Sequence, residues 1–169
     1  MVYVKNTKYN LLMDSSSHKL DRIDLQILRV LQLNGRISNV ELSQKVNLSP
    51  APCLVRVKRL EQEAIIQRYR AELDPVKLGF GLLAFVEITL DRTTADVFDK
   101  FKQAVQTIDE VVECHMVAGG FDYLIKIRCV DMDAYRRILG EKIATVNGIS
   151  QTHTYVVMEQ VKSSNELNI

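Results

Sequence analysis

The sequence has no tryptophan, only three prolines and three cysteines, and no apolar run close to the roughly 20 residues of a membrane helix. Its first residues also lack the apolar stretch and the small-residue cleavage site of a secretory signal. Cys53, Cys114 and Cys129 are odd in number, widely spaced and without a histidine at a zinc-finger interval, which favours reduced thiols over disulfides or a metal site. We therefore expect a cytoplasmic protein with no membrane association and no metal.

What the chain does contain is an uneven distribution of charge. Its 169 residues are 47% hydrophobic, enough for one good-sized core or two small ones. Residues 19–77 carry 11 Lys or Arg and 7 Asp or Glu, whereas residues 78–169 carry 9 and 13. Because a cationic surface suits phosphate binding and an acidic one does not, the two parts are predicted to have different partners.

Three amphipathic helices are predicted in the cationic part. Apolar residues follow helical spacing from Ile23, and Asp21 can cap the start of that helix. Ser38 and Glu41 form a capping box that opens the second helix. The third helix follows after only three residues, with Ser49 as its cap, an arrangement typical of a helix-turn-helix. The inward stripe of this helix is predicted at Cys53, Val57, Leu60 and Ala64.

A hinge is predicted between the two parts. Residues 65–73 alternate partly, which indicates a strand or small wing, and residues 74–79 contain the proline and glycine of a linker. We therefore divide the chain into a flexible arm at 1–18, a helix-turn-helix domain at 19–66, a hinge strand with linker at 67–81 and a second domain at 82–169.

The second domain has the order βαββαβ, which predicts an α+β, ferredoxin-like fold with both helices on one face of a four-stranded sheet. Its third strand is the clearest, because Tyr123, Ile125, Ile127 and Cys129 alternate with polar residues. The first strand is predicted at 82–90, and a helix at 132–142. The second face of the sheet needs covering, which predicts a homodimer.

The third helix is the element that we expect in the major groove, where its start and outer face reach base edges and its basic side chains meet phosphates. A solvated basic face on a helix that only packs is the alternative. The capping box, the short turn and the charge distribution together favour double-stranded DNA. Arg36 and Asn39 are candidate backbone contacts, although each could equally be a plain surface residue. The candidate DNA-binding residues are Arg36, Asn39, Ser49, Ala51, Pro52, Arg56, Lys58 and Arg59.

Four segments resemble the Lrp/AsnC family: LDRIDLQILRVLQLNGRISNVELSQKVNLSPAPCLVRVKRLE, FVEITL, ECHMVAGGFDYLIKI and TYVVMEQVK. Together they cover residues 20 to about 165, and the LSPxPCLxRVxRLE pattern combined with the GxFDY turn is specific to that family. The resemblance implies a cytoplasmic, nucleoid-associated regulator of transcription, an activator or repressor. It also implies a hinge strand and an amino-acid-sensing domain that pairs into dimers and then into octamers or similar rings.

The resemblance further implies an effector site between sensing domains, near the turn after the second strand. No other cofactor is implied, and the effector is expected to be leucine or another amino acid. Asp122 can pair with a ligand ammonium, and Gly119 and Gly120 let backbone N–H groups approach a ligand carboxylate. A plain hairpin with a surface aspartate is the alternative. The candidate effector-binding residues are Met116, Gly119, Gly120, Phe121, Asp122, Tyr123, Met132, Tyr155, Val156 and Val157.

Two positions depart from the family members that the chain resembles most. Their turn usually reads GDFDY, whereas this chain has Gly120 at the first acidic position, so the effector or its mode of binding is expected to differ. Ala51 stands where a threonine is common in the third helix. The missing hydroxyl removes one contact and leaves a methyl group that can touch thymine, so the target preference is expected to shift.

Two other function classes remain open on the sequence. An enzyme would need His115 or His153 to act with Cys114 or Asp122, yet neighbouring strand residues point to opposite faces and no G-x-S-x-G, HExxH or phosphate loop occurs. The other class is a DNA-packaging protein that binds without an effector. A ligand-dependent change in DNA affinity would separate a regulator from a packaging protein.

Overall fold

The computed structural model describes residues 20–169, which form two compact units. The first unit extends to Ala71 and also takes in Ser164–Ile169, and the second covers Glu72–Ser163. The arm predicted at 1–18 lies outside the described residues. Between residues 20 and 169, no helix combines the length and the apolar character needed to cross a bilayer.

The first unit is a group of three helices: α1 (Arg22–Leu33), α2 (Asn39–Lys45) and α3 (Pro50–Gln62). Asp21 caps α1 as predicted, and its carboxylate accepts from the backbone N–H groups of Ile23 and Asp24. The predicted capping box between Ser38 and Glu41 is also present at the start of α2. Apolar residues of all three helices form the core of this unit, and its buried members are Ile27, Leu42, Val46, Cys53 and Leu60.

The turn between α2 and α3 owes its shortness to one left-handed residue. Asn47 has a φ of 56°, a conformation that asparagine tolerates better than most residues. The backbone N–H of Leu48 then reaches the carbonyl of Ser43 at 2.9 Å, which is the closing bond of a Schellman-type helix end. The chain therefore enters α3 only a few residues after α2 ends.

Two predictions near the end of the first unit were wrong. Ala64 is not a fourth position of the inward stripe, because α3 ends at Gln62 and Ala64 is exposed with a φ of 55°. The hinge strand is also absent, since the described residues 67–81 contain no strand. A strand needs a neighbour for its backbone groups, and within residues 20–169 none of the four strands pairs with this segment.

The segment Ser164–Ile169 belongs to the first unit through contacts that the sequence did not indicate. The side-chain amide of Gln32 donates to the carbonyl of Leu167 at 3.1 Å and accepts from its N–H at 2.7 Å. Arg29 donates to the carbonyl of Ile169. These bonds fix the segment along α1.

The second unit has the predicted ferredoxin-like topology. Its strands are β1 (Leu82–Leu90), β2 (Val111–Met116), β3 (Tyr123–Cys129) and β4 (Ile149–Val156). They form one antiparallel sheet in the order β2-β3-β1-β4. The helices are α4 (Ala95–Val105) and α5 (Met132–Arg137), and α5 continues as a π-helical segment, Ile138–Ile143, where a regular helix was predicted.

The two faces of the sheet differ because successive strand residues point to opposite sides. The inner face packs under the helices, where Phe101 of α4 and Tyr135 of α5 join the buried residues of β1 and β3. The predicted alternation in β3 is confirmed, with Tyr123 and every second residue after it buried. Register and exposure place the following residues on the other, only partly covered face: Phe85, Glu87, Glu113, His115, Leu124, Lys126, Arg128, His153 and Tyr155.

Candidate DNA interface and effector site

Helix α3 buries one side in the core of the first unit and exposes the other, as a DNA-recognition helix must. Cys53 and Leu60 are fully buried in the core of the first unit. Helical spacing places Ala51 and Lys58 on the opposite side, where both are exposed. The first acidic residue of α3 is Glu61, so most of the helix presents apolar and basic groups only. Such a surface suits the edge of a DNA groove.

The start of α3 is poor in backbone donors. Ser49 is the N-cap residue, but its hydroxyl makes no capping bond, which corrects the role expected for it. Pro50 and Pro52 lack an N–H group, so Ala51 carries the only backbone N–H among the first three helical residues. Since helix N-termini bind anions through such N–H groups, an anion at the start of α3 would have to be bound mainly by side chains, such as the exposed hydroxyl of Ser49.

Asn39 faces the protein rather than the solvent. Its amide nitrogen donates to the carbonyl of Pro50 at 2.8 Å, which joins the start of α2 to the start of α3. Its other amide atom, Oδ1, is buried without a hydrogen-bond partner among the described residues. Arg36, in the loop before α2, is exposed. The geometry therefore gives Asn39 a positioning role and leaves Arg36 available to a phosphate.

Arg56 and Arg59 form ion pairs with α1. Arg56 Nη1 lies 2.6 Å from Asp21 Oδ2 and 2.9 Å from Asp24 Oδ1, and Arg59 Nη2 lies 2.5 Å from Asp24 Oδ2. The side chain of Asp24 is only 1% exposed. A backbone hydrogen bond at Asp24 and the guanidinium of Arg56 hold the pKa of Asp21 below its usual value. These two arginines, predicted as DNA contacts, thus hold α1 against α3.

The effector candidates near the β2–β3 turn surround Asp122. Its Oδ2 accepts from the backbone N–H of Leu90 at 2.7 Å, and its own N–H donates to the carbonyl of Ile88 at 2.9 Å. The carboxylate therefore satisfies a backbone group at the end of β1, where the register with β4 shifts. Gly119 and Gly120 are exposed, and a Cβ added to either would meet no atom within 4 Å. The fold does not demand glycine at these positions, and the space above them is open.

Tyr123 lies in the core, although it was predicted as an effector contact. It is 2% exposed, and its ring centroid is 4.4 Å from that of Phe101 and 6.0 Å from that of Phe98. Burial raises the pKa of Tyr123 to about 12, and its hydroxyl has no hydrogen-bond partner within residues 20–169. Met116 pairs with Tyr123 in the sheet and is 58% exposed, so it is the more accessible of the two.

The remaining effector candidates lie at the other end of the sheet. Val156 pairs with Ala84 near the start of β1, and Val157 donates its N–H to the carbonyl of Leu83 at 2.9 Å. Met132 opens α5 three residues after Cys129, which pairs with Leu82. Tyr155 points to the opposite face from Val156, and a hydrogen bond with Glu87 raises its pKa. Within one chain, the sheet thus separates this group from Gly119, Gly120, Phe121 and Asp122.

Comparison with known proteins identifies both units. Residues 20–67 match the winged helix-turn-helix DNA-binding family, and residues 83–167 match the Lrp/AsnC ligand binding domain. The leucine-responsive regulatory proteins of Klebsiella pneumoniae and Escherichia coli K12 are 58% identical over 150 residues, which are 89% of this chain and 92% of theirs. The chain belongs to the Lrp/AsnC family. An L-Met complex of a Neisseria meningitidis transcriptional regulator aligns with a TM-score of 0.84 and 36% identity, covering 88% of this chain and 96% of that one.

Membership of the Lrp/AsnC family makes the chain a transcription regulator with a DNA-binding helix-turn-helix and a ligand-binding domain. The residues considered for an enzyme do not converge. His115 points to the outer face of the sheet, 3.3 Å from Glu113, whereas Cys114 next to it points to the other face. His153 contacts Gln151 at 2.7 Å, and Asp122 accepts from the backbone N–H of Leu90.

Sequence reasoning passed over one residue on the outward side of α3. Val55 is 67% exposed, and it was predicted neither as a core residue nor as a DNA contact. The signal was present in the helical spacing, since Val55 follows Ala51 by four residues and precedes Lys58 by three.

Proposed function

We propose that this Lrp/AsnC regulator binds double-stranded operator DNA through α3 and controls genes of amino-acid metabolism in response to a small amino acid. It acts in the cytoplasm, associated with the nucleoid. The observation that carries this proposal is the exposed side of α3, where Ser49, Ala51 and Lys58 face outward without an acidic neighbour before Glu61. DNA recognition by such a helix combines base contacts at its start with phosphate contacts on its flanks.

The class of effector is supported by the relatives and by the chemistry of the β2–β3 turn. The curated relatives are named leucine-responsive, and a structural neighbour was solved with L-methionine. Asp122 offers a carboxylate that can pair with a ligand ammonium, and the open space above Gly119 and Gly120 leaves backbone N–H groups within reach of a ligand carboxylate. An apolar amino acid such as leucine or methionine fits these requirements.

The two groups of effector candidates support a site shared between subunits. Asp122 lies beside Ile88 of β1, and Val156 pairs with Ala84, four residues earlier. Four strand residues span roughly 13 Å, more than a single amino acid can bridge. Contact with both groups therefore requires two chains. We infer a homodimer formed over the partly covered sheet face, assembling further into an octamer or higher ring.

The effector would act by shifting the population of assemblies. If it binds one arrangement of subunits better than another, it favours that arrangement and changes the spacing of the α3 helices. Coupling of this kind is typically worth about 1–3 kcal/mol, which corresponds to a roughly 5- to 150-fold change in DNA affinity.

A titration of labelled DNA by fluorescence anisotropy tests the proposal. The protein is titrated against DNA from upstream of its own gene and against unrelated DNA of equal length, at one fixed salt concentration, with and without a mixture of amino acids. Preferential binding to the upstream DNA that changes with the mixture would support an effector-responsive regulator. Equal binding to both DNAs, unaffected by amino acids, would instead point to a DNA-packaging protein, and no binding to either would contradict the assignment of α3.

Two substitutions at Asp122 separate ligand binding from structural support. Asp122→Asn keeps an oxygen that can accept from Leu90 N–H but removes the charge, whereas Asp122→Ala removes both. We expect the asparagine variant to bind DNA normally and lose its response to amino acids. The alanine variant should also lose about 1–3 kcal/mol of stability, because the N–H of Leu90 is left without its acceptor. A normal ligand response in Asp122→Asn would show that this carboxylate only accepts the hydrogen bond at the end of β1 and does not bind the ligand.

A further inference from the structure

Val55 is the most exposed large apolar side chain on the outward surface of α3, where Leu54, 41% exposed, lies beside it. It is 67% exposed, and its neighbours along the same side are Ala51, one turn before it, and Lys58, nearly one turn after it. The buried residues Cys53 and Leu60 lie on the other side of the helix. Among residues 20–71 and 164–169, no side chain covers Val55.

The stability of α3 does not explain a valine at this position. Branching at Cβ lowers the helix propensity of valine below that of alanine, leucine, lysine or glutamate. An exposed valine also gains little from burial, because most of its surface remains in water. A residue that weakens the helix slightly and buries little is explained better by a partner that covers it than by the fold.

The surroundings of Val55 indicate the chemistry of that partner. Residues 50–60 of α3 contain no acidic side chain, and Lys58 is exposed next to Val55. An apolar centre beside positive charge matches the DNA major groove, where thymine presents its C5-methyl group between two rows of phosphates. A protein partner bound through an acidic surface is less favoured, because the apolar centre is small.

We propose that Val55 is a specificity-determining residue that packs against a thymine C5-methyl group in the major groove. The inference rests on the proposed DNA-binding function and names the base feature that α3 reads. Ala51, on the same side of the helix, can extend the same apolar surface by one methyl group. Lys58 then contributes phosphate contacts that do not depend on sequence.

The test compares DNA that differs only in this methyl group. A high-affinity site is first selected from a random duplex library with the full-length protein. The site is then made with thymine or with uracil, which lacks the C5-methyl, and both Kd values are measured by anisotropy. Removal of a methyl contact should weaken binding about fourfold for each methyl that is lost. In Val55→Ala, which removes two of the side-chain carbons, this thymine-to-uracil ratio should fall about fourfold for the thymine methyl that Val55 contacts, while any contribution of Ala51 stays.

Lys58→Ala is the matched control on the same side of the helix. It should weaken binding to both DNAs, reduce the dependence of Kd on salt and keep the ratio of the unmodified protein. A ratio of one for the unmodified protein, or a ratio that Val55→Ala leaves unchanged, would overturn the proposal for Val55 while leaving DNA binding intact. A change in assembly mass instead of in the ratio would also overturn it, and failure to select any DNA site would overturn the proposed function itself.

Discussion

Replacement of Asp24 by asparagine should destabilise the first unit strongly. Its carboxylate, 1% exposed, accepts from Arg56 at 2.9 Å, from Arg59 at 2.5 Å and from the backbone N–H of Asp21 at 3.1 Å. Asparagine keeps the volume but turns one acceptor into a donor, which then faces the donors of a guanidinium or of the backbone. Hydrogen bonds to charged groups are worth about 1.5–3 kcal/mol each. Because both arginine side chains are partly exposed and regain water, we expect a loss of about 2–4 kcal/mol in total.

Hydrogen exchange of the full-length chain, followed by mass spectrometry, measures this loss. At about 1.4 kcal/mol per factor of ten, amide protection at 22–33 should fall roughly 30- to 1,000-fold in Asp24→Asn, while protection at 123–129 stays unchanged. Asp96→Asn is the control, because that carboxylate is 67% exposed and 3.7 Å from Lys100. It should change protection less than about threefold. Equal protection in Asp24→Asn and the unmodified protein would refute the structural role given to the ion pairs.

Three further predictions concern single positions. Gly148→Ala should lower the free energy of unfolding of the second unit by about 1–3 kcal/mol in urea, since the glycine has a φ of +95° and a Cβ would lie 3.0 Å from a valine methyl of α4; an unchanged midpoint would contradict this. Ala64→Gly should raise protection of α3 amides by about 0.5–1 kcal/mol, because the alanine adopts φ 55° at the helix end; lower protection would exclude that strain. The hydrogen bonds from Lys142 hold the pKa of Glu110 below its usual 4.5. Its folded-state pKa is therefore below the unfolded one, so this stabilisation is present above about pH 4.5 and is lost as the pH falls through the lowered value. Glu110→Gln should make acid unfolding of the second unit less steep, and an identical acid profile would show that the pair contributes nothing.

Local sequence rules predicted the parts of this fold that depend on near neighbours. The caps at Asp21 and Ser38 involve residues two or three positions away, so the sequence alone contains the whole interaction. The alternation of β3 is likewise a property of consecutive residues, and one buried face follows from it directly. The order of helices and strands then limited the second unit to a ferredoxin-like sheet.

The errors occurred where a residue's partner is distant along the chain. The ion pairs of Arg56 and Arg59 were missed, because nothing local indicates that Asp21 and Asp24, more than 30 residues earlier, lie against them. The DNA contacts of the two arginines stay a prediction, since both side chains remain partly exposed. The hinge strand was predicted from alternation alone, although a strand also requires a neighbouring strand, and residues 67–81 have none among residues 20–169.

The sequence by itself determined the family, the two domains' folds and the position of the helix-turn-helix, because these follow from periodicity, capping residues and motifs of short range. Only the tertiary structure decided which distant groups each side chain contacts. It assigned Asp122 to the backbone of Leu90, buried Tyr123 in the core and left Val55 exposed on α3. Packing between elements fixes such contacts. Because the partners are far apart along the chain, the residues around each partner do not indicate the contact.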